Sequence, residues 1–264
     1  MSDNGYQLKI ENQIATLILD RPQVHNAFDD KLINDLIKAL KQVEEDDSIR
    51  ALILTSNGKH FSAGADLNWM KRMANLSESD NRADAHELSE LMHRLNEMSI
   101  PTIALVDGAA YGGAVGLVAC CDMAIATQRS RFCLSEVRIG LSPAVISPYV
   151  VGAMGERIAR RYFLTAEPFI AHKAKEFGLV NEVVSDRDEL LEQGLHLVDC
   201  ILQNSPQAIH KTKQLIMHVS RGAIDPHMRD YTVNLIAAIR VSEEGQEGLS
   251  AFLEKREPSW RGEQ

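Results

Sequence analysis

Two runs of small residues are the parts of this sequence best suited to chemistry. The segments HFSAGADL (60–67) and AAYGGAVGL (109–117) each follow an apolar, strand-like run and open a helical one. Small residues let a ligand approach the backbone closely, and the first turn of a helix leaves N–H groups unpaired with a partial positive charge. Two such N–H groups that converge on one oxygen form an oxyanion hole, so the pattern favours an enzyme that stabilises a developing negative charge.

The common nucleotide-binding and hydrolase motifs are absent from the sequence. Neither loop matches the phosphate loop G-x-x-x-x-G-K-[ST] or the dinucleotide pattern G-x-G-x-x-G, and there is no G-x-S-x-G elbow and no HExxH. Tight packing of a strand against a helix would by itself explain either loop. The residues alone therefore predict two loops that could bind an anion in an α/β enzyme, and no more.

Composition limits the class of protein. The chain has 264 residues, of which 45% are hydrophobic and 25% charged, as is usual for a soluble globular protein. Its net charge of −9 argues against nucleic acid as the main partner. The beginning of the chain, MSDNGYQLKIENQ, lacks a basic segment followed by an apolar one, and no apolar run is long enough to span a bilayer. We therefore expect a soluble, cytoplasmic protein without a membrane partner.

The cysteines and histidines do not indicate a metal site. The four cysteines lack the C-x2-C spacing of a zinc site, and the histidines, including His25 and His60, show no ligand spacing. Two cysteines, Cys120 and Cys121, are adjacent in an apolar run, which is typical of buried reduced thiols. We assign no metal.

The elements that must position the loops alternate along the first part of the chain. Apolar segments predict strands at 6–10, 14–19, 50–56, 102–108 and 122–127, and the first two form a hairpin whose turn is ENQ. Apolar residues at helical spacing predict helices over 29–47, 67–74 and 85–98. Repeated strand, loop and helix favour an α/β layered core.

The chain changes character after Asp186. Four consecutive helices are predicted, over 188–204, 206–220, 226–240 and 243–256. We therefore divide the chain into a core at 1–200 and a helical C-terminal region at 201–264. A helical appendage with apolar faces often packs across a subunit interface.

Five segments in the same order resemble the crotonase (enoyl-CoA hydratase/isomerase) superfamily. They are FSAGADL (61–67), DGAAYGGAVGL (107–117), FCLSEVRIGLSP (132–143), LTAEPFIAHKAKEFGLVNEVV (164–184) and EGLSAFLEKREPSW (247–260). The residues of these segments most resemble those of the bacterial methylglutaconyl-CoA hydratases of leucine breakdown, whose relatives act in acyclic terpene degradation. The resemblance implies an α/β fold with a spiral ββα core and a C-terminal helical oligomerisation region, in trimers or pairs of trimers.

The resemblance also implies which residues meet the substrate, an acyl-CoA thioester. The oxyanion donors are the backbone N–H groups of Ala65 and Gly113. The CoA arm lies along the first loop with Val24 on the adenine side, and the tail contributes from a neighbouring subunit, although Lys255 is as readily a solvated side chain. The implied substrate-binding residues are Val24, Ala63, Gly64, Ala65, Asp66, Leu67, Gly112, Arg138, Phe252 and Lys255. No cofactor is implied, because CoA belongs to the substrate.

The chain departs from the two-glutamate hydratases of this superfamily at one position. Gly116 occupies the place of the first glutamate, whereas Glu136 matches the second and is kept. Glu136 lies between apolar segments, and burial would raise its pKa toward the range useful for proton transfer. A plain exposed glutamate is the alternative.

One remaining carboxylate leaves several activities open. Glu136 could activate water and deliver a proton in turn, with Ser135 or the backbone holding the water, and dehydration is the reverse of that reaction. It could instead move one proton between two carbons, which is double-bond isomerisation. A protein that binds acyl-CoA without turnover, or one that binds RNA, belongs to a different class. We interpret the chain as a hydratase that adds water to a 2-enoyl-CoA, with 3-methylglutaconyl-CoA or a related branched acyl-CoA as the expected substrate.

Three further residues are candidates for the pocket that holds the acyl group. Arg138 lies two residues beyond Glu136, and on a strand-like segment the two would face the same side, where a cation could meet the substrate's distal carboxylate. A structural salt bridge is the alternative for Arg138. Trp69 and Met70 could line the acyl pocket or belong to the core.

Overall fold

The computed structural model describes residues 5–220 and 222–261, which form two β-sheets surrounded by helices. The strands are β1 (Tyr6–Glu11), β2 (Ile14–Leu19), β3 (Ala51–Ser56), β4 (Thr102–Val106), β5 (Ala109–Tyr111), β6 (Met123–Thr127), β7 (Arg131–Cys133), β8 (Phe169–Ile170) and β9 (Glu182–Val184). The helices are α1 (Asp30–Glu44), α2 (Leu67–Met73), α3 (Glu78–Glu97), α4 (Gly113–Cys120), α5 (Ser147–Met154), α6 (Glu156–Thr165), α7 (Ala171–Glu176), α8 (Arg187–Leu202), α9 (Pro206–Ser220), α10 (Pro226–Arg240) and α11 (Glu243–Glu254). Short 3₁₀ turns cover Pro22–Val24, Glu136–Ile139 and Ser259–Arg261.

The larger sheet has six strands in the order β1-β2-β3-β4-β6-β9. Only the β1–β2 pair is antiparallel, and the other four pairs are parallel. A smaller sheet joins β5, β7 and β8, with β5 parallel to β7. The predicted α/β class with a helical C-terminal region is confirmed, whereas the smaller sheet was not predicted because its strands have only two or three residues.

The hairpin at the start of the chain forms as predicted. β1 and β2 pair from Tyr6 with Leu19 to Glu11 with Ile14, which leaves Asn12 and Gln13 as the turn. Both turn residues have positive φ, 51° and 66°, the geometry of the two-residue turn that matches the twist of a hairpin.

The central strands β3 and β4 are buried along their whole length because both faces of the sheet are covered. In β3, Leu52 and Leu54 belong to the core cluster that also contains residues of α1, α3 and α4. Ala51 and Ile53 belong to a second cluster, on the face that α8 covers. Alternate side chains of a strand point to opposite faces, so a continuous apolar run is what a doubly covered parallel strand requires.

Side-chain caps determine where several helices begin. Asp29 accepts a hydrogen bond from the amide of Leu32 and starts α1, while Ser77 accepts from Asp80 and starts α3. The apolar spacing alone predicts a start for α3 near residue 85, which is wrong. The first two turns of α3 are largely exposed and therefore carry no apolar pattern.

The four C-terminal helices form as predicted, and α9 is anchored to the core. Asp122, just before β6, accepts hydrogen bonds from the amide and hydroxyl of Thr102, and its carboxylate pairs with Lys213 of α9 at 2.7 Å. The helix α8 packs on the large sheet and runs across residues 200 and 201. The division of the chain at that point remains a prediction.

Two further expectations concern cysteines and membranes. All four cysteines are unpaired, with Cys120 buried and Cys121 half-buried, and burial raises the pKa of the Cys121 thiol to about 12. No helix within residues 5–220 and 222–261 combines the length and apolarity needed to cross a bilayer.

We expect Asp122→Ala to destabilise the fold. The Lys213 side chain is only 10% exposed, and without its partner the buried ammonium costs about 2 to 3 kcal/mol of unfolding free energy. Urea unfolding should show this loss, with Asp47→Ala, an exposed acid on the loop after α1, as the matched control. Equal stability of the two variants would contradict the anchoring role of Asp122.

Candidate active site

The two small-residue loops lie side by side. The amide of Ser62 donates to the carbonyl of Ala109 at 2.9 Å, and the amide of Tyr111 donates back to Ser62 at 3.0 Å. Gly64 has a φ of +89°, and a Cβ there would stand 2.7 Å from the carbonyl oxygen of Tyr111. Only glycine permits this backbone conformation at so close an approach.

Phe28 holds both loops from one side. Its amide donates to Gly64 and its carbonyl accepts from Asp66, both at 2.9 Å, so Ala65 is clamped between the two bonds. Its ring lies against Gly113, where a Cβ would come within 2.7 Å of the ring carbon Cζ. A single buried phenylalanine thus sets the relative position of Ala65 and Gly113.

The amides of Ala65 and Gly113 are free to bind a ligand. Among the bonds formed within residues 5–220 and 222–261, neither N–H group donates to an acceptor. Gly113 is the first residue of α4, so its amide also lies at the positive end of a helix dipole. Gly112, with φ of +55° and ψ of −126°, turns the chain from β5 into this helix. The structure therefore places both predicted donors on adjacent loops with unpaired N–H groups.

Glu136 faces the second loop. It opens the 3₁₀ turn after β7, and the amide of Gly112 donates to Cys133 of that strand at 2.8 Å. Oε1 of Glu136 lies 3.3 Å from the point where a Cβ of Gly112 would stand. Oε2 is buried and has no hydrogen-bond partner among the described residues. Burial raises the pKa of Glu136, as predicted, because the charged form loses its hydration.

Gly116 lies in a filled part of the core. A Cβ at this position would come within 2.3 Å of Cγ2 and 2.7 Å of Cβ of Ile146, and within 3.3 Å of the methyl carbon of Met92. A second glutamate therefore has no room at this point of α4. The departure from the two-glutamate pattern is a change in packing as well as in chemistry, since Ile146 occupies the space.

The premise used for Arg138 is wrong. Residues 136–139 form a 3₁₀ turn and not a strand, so the alternation of a strand does not place Arg138 beside Glu136. Its guanidinium donates through Nη2 to the carbonyl of Ala166, a buried residue in left-handed conformation after α6. The alternative of a salt bridge is also wrong, because the partner is a carbonyl group.

The predicted CoA residues of the first loop are close to Val24. The amide of Ala63 donates to the carbonyl of His25, the residue after Val24, at 2.9 Å. Leu67 is 73% exposed at the start of α2. The carboxylate of Asp66 accepts from the amides of Asn68 and Trp69 and so caps α2. Asp66 is thereby occupied, as are the amides of Ala63 and Gly64, whereas the amide of Ala65 and the Leu67 side chain stay open to a ligand.

The tail residues lie apart from these loops within one chain. α11 packs on α9 and α10. Phe252 is 82% exposed, and Lys255 ends α11 in left-handed conformation. Their predicted contact with CoA requires a neighbouring subunit and remains a prediction.

Trp69 belongs to the core. It is buried in the main apolar cluster, and its indole N–H donates to Asp84 at 3.1 Å. Met70 is half-buried on the adjacent turn. Trp69 was expected either to line the acyl pocket or to belong to the core, and the structure shows it in the core.

No metal site is found among residues 5–220 and 222–261, because they contain no cluster of three or more His, Cys, Asp or Glu side chains that could hold a metal. A cavity of about 1350 Å³ lies between the β1–β2 turn and residues 257–261, far in sequence from both loops, and none of the predicted site residues lines it.

Sequence reasoning missed the residues that support the site. Phe28 and Ile146 are ordinary apolar residues of the core, and nothing in their type distinguishes them. His60 is the first residue of the first loop, but its place in the sequence does not show that its ring contacts β5.

Comparison with known proteins identifies the family. The family model described as enoyl-CoA hydratase/isomerase matches residues 9–263, nearly the whole chain. The chain therefore belongs to the enoyl-CoA hydratase/isomerase family. The predicted superfamily is confirmed, and so, at the level of this family, is the prediction of an enoyl-CoA hydratase-type enzyme.

Individual relatives agree in fold and differ in activity. A crystal structure of an enoyl-CoA hydratase from Shewanella pealeana is 48% identical, with a TM-score of 0.94 over 97% of this chain and 96% of that one. A putative enoyl-CoA hydratase from Thermus thermophilus is 33% identical over 94% of this chain and 97% of its own length. A mitochondrial Δ(3,5)-Δ(2,4)-dienoyl-CoA isomerase from Dictyostelium discoideum is 31% identical over 94% of this chain and 87% of its own length.

We expect Gly116→Ala to test how tightly Ile146 fills this space. The added methyl group should cost about 2 kcal/mol of stability, because Ile146 cannot retreat without disturbing the core. In an Ile146→Gly background the same substitution should cost less, and a double-mutant cycle in urea unfolding measures the difference. Equal costs in both backgrounds would contradict the contact.

Proposed function

We propose that the protein is a hydratase that adds water across the double bond of a 2-enoyl-CoA. The observation that carries this proposal is the carboxylate of Glu136, whose Oε2 is buried without a partner beside the glycine loop. A desolvated acid next to two unpaired amides is the arrangement that proton transfer coupled to enolate formation needs. The relatives named as hydratases support the same reading.

The amides of Ala65 and Gly113 receive the thioester oxygen. When water attacks C3, the π electrons of the double bond shift toward C1 and the thioester oxygen becomes an enolate oxygen. Both N–H groups donate to that oxygen, and the dipole of α4 adds to the stabilisation. Loss of one such donor typically raises a barrier by about 3 to 4 kcal/mol.

Glu136 carries the protons in both halves of the reaction. As a carboxylate it takes a proton from the attacking water while the C3–O bond forms. As a carboxylic acid it then delivers a proton to C2, which restores the thioester carbonyl. The raised pKa of Glu136 suits both roles, because loss of hydration makes its carboxylate a stronger base toward water than an exposed glutamate would be. Ser135, directly before Glu136, is the proposed partner for the water.

Isomerisation is the second candidate, and the packing at Gly116 favours it. Ile146 excludes a second carboxylate from the position that matches the first glutamate of the two-glutamate hydratases. With one acid, Glu136 would remove a proton from C2 of a 3-enoyl-CoA and return it to C4, while the same two amides hold the dienolate oxygen. The Dictyostelium relative is named as a dienoyl-CoA isomerase, which supports double-bond isomerisation as the alternative.

The proposed substrate is 3-methylglutaconyl-CoA or a related branched acyl-CoA. Its distal carboxylate calls for a cation, and Arg138 remains the proposed one. The bond from Nη2 to Ala166 fixes the guanidinium but leaves its other N–H groups available.

Assembly and location are also part of the proposal. We propose a homotrimer or a pair of trimers, in which Phe252 and Lys255 reach the CoA of a neighbouring subunit. Large apolar side chains exposed on α9–α11 support a subunit contact there: Ile216, Val219, Val233, Ile236, Leu249, Phe252 and Leu253. Four unpaired cysteines support a cytoplasmic setting.

Hydration of 3-methylglutaconyl-CoA should depend on Glu136. Glu136→Gln removes the acid and base while preserving size, so turnover should fall by about a thousandfold. The loss of the enoyl thioester absorbance measures the rate. Glu182→Gln, an exposed glutamate on β9, is the matched control.

The other readings give different results in the same experiment. A 3-enoyl-CoA that is converted to the 2-enoyl isomer without hydration of either compound would replace hydratase by isomerase. Thermal stabilisation by CoA esters with no turnover of either compound would contradict both enzymatic proposals.

Arg138→Ala tests the nature of the acyl group. Loss of a charge-assisted hydrogen bond should raise the KM for 3-methylglutaconyl-CoA by about tenfold. The KM for a neutral enoyl-CoA of similar length should hardly change, and Arg138→Lys, which keeps the charge, should fall between. An unchanged KM for the acidic substrate would remove Arg138 from the pocket.

A further inference from the structure

His60, the first residue of the first loop, contacts the second loop. Its Nδ1 accepts a hydrogen bond from the amide of Ala109, the first residue of β5, at 3.2 Å. The chain continues from Ala109 through β5 directly into Gly112 and Gly113. A side chain of one loop therefore holds the strand that delivers the oxyanion amide of the other.

The imidazole does what a backbone carbonyl would do in a regular strand pair. Segment 60–62 runs beside β5, and Ser62 exchanges two backbone bonds with Ala109 and Tyr111. The next hydrogen bond of this ladder would run from the amide of Ala109 to the carbonyl of His60. That carbonyl already accepts from Asn26 Nδ2 at 2.8 Å and Ser56 Oγ at 3.2 Å. Nδ1 of the ring accepts the bond from Ala109 instead.

This bond requires one protonation state of the ring. An acceptor Nδ1 carries no proton, so the neutral ring keeps its proton on Nε2. Protonated His60 would turn Nδ1–H toward the N–H of Ala109, and two donors cannot bond to each other. The two segments are also in close contact, since a Cβ on Gly108 would lie 2.2 Å from the carbonyl oxygen of Lys59.

The surroundings of His60 disfavour its charged form. The ring of His25 meets it edge-on, with centroids 5.1 Å apart. Partial burial, His25, Lys59 and Arg129 lower the pKa of His60, and Asp107 opposes them. Asp107 is itself engaged by Arg129, by Arg187 and by the hydroxyl of Thr127.

We propose that His60 is a positioning residue whose neutral imidazole fixes β5, and that its protonation loosens the Gly112–Gly113 loop and lowers activity reversibly in acid. The link to activity rests on the proposed function, in which the Gly113 amide binds the thioester oxygen. The link between His60 and β5 does not rest on it. The sign follows from the lowered pKa: the bond is intact above the ordinary histidine range and is lost as the pH falls through the pKa of His60.

Two substitutions separate the hydrogen bond from the charge. Asn Oδ1 in His60→Asn can accept from Ala109 and does not titrate, whereas His60→Leu has no acceptor. We expect kcat of His60→Leu to fall by about tenfold at all pH values, because a displaced donor loses its alignment with the oxyanion. We expect His60→Asn to keep kcat within about threefold at neutral pH and to retain only the acid limb that belongs to Glu136. His172→Asn, an exposed histidine on α7, is the control.

A measurement on the unliganded protein tests the positioning role without any assay. The ¹⁵N and ¹H shifts of the Ala109 and Gly113 amides should share a titration whose midpoint lies below the ordinary histidine range, in a scan from about pH 8 to about pH 4 of the wild-type protein. This shared component should be absent in His60→Asn, where only the titration of Glu136 acts on the Gly113 amide. Amide shifts that stay constant over this range, or that titrate equally in His60→Asn, would overturn the proposal. This result would stand whether or not the protein hydrates enoyl-CoA, so failure here is distinct from failure of the proposed function.

Discussion

The proposed chemistry of this protein depends on one desolvated carboxylate. Glu136 keeps an unpartnered, buried oxygen beside the Gly112–Gly113 turn, and its pKa is raised for that reason. An isolated buried acid costs folding free energy, and such groups cluster at functional sites. The Gly112 amide donates to Cys133 at the end of β7, three residues before Glu136, so the acid follows a strand that is bonded to the oxyanion loop.

The glycines of the second loop serve different purposes although they stand close together. Gly112 provides the turn into α4, in a conformation that few other residues adopt. Gly113 makes room for the ring of Phe28 and presents its amide at the start of the helix. Gly116 faces the core, and Ile146 occupies the space that a side chain at this position would need. The absence of the first glutamate is therefore built into the packing of α4 against the N-cap residue of α5, Ile146.

Much of this arrangement follows from the sequence, for identifiable reasons. Continuous apolar runs such as 102–106 indicate doubly covered strands, and positive-φ turns and helix caps have clear residue signatures. The two loops and Glu136 are recognisable because the superfamily pattern extends over most of the chain. The strand-like conformation assumed for Glu136 and Arg138 was wrong, because a few residues of sequence do not distinguish a strand from a 3₁₀ turn. The parts played by Phe28, Ile146 and His60 depend on contacts between distant segments, which no local pattern encodes.

The pKa of Glu136 is the most direct test of this account. It can be measured from the side-chain carboxyl carbon in ¹³C spectra of the unliganded protein, with Glu136→Gln to assign the signal and exposed glutamates of the same chain as the reference. A desolvated acid predicts a midpoint clearly above that of the exposed glutamates, since loss of hydration penalises the carboxylate. A midpoint at or below theirs would show a solvated or paired carboxylate and would contradict the role assigned to Glu136.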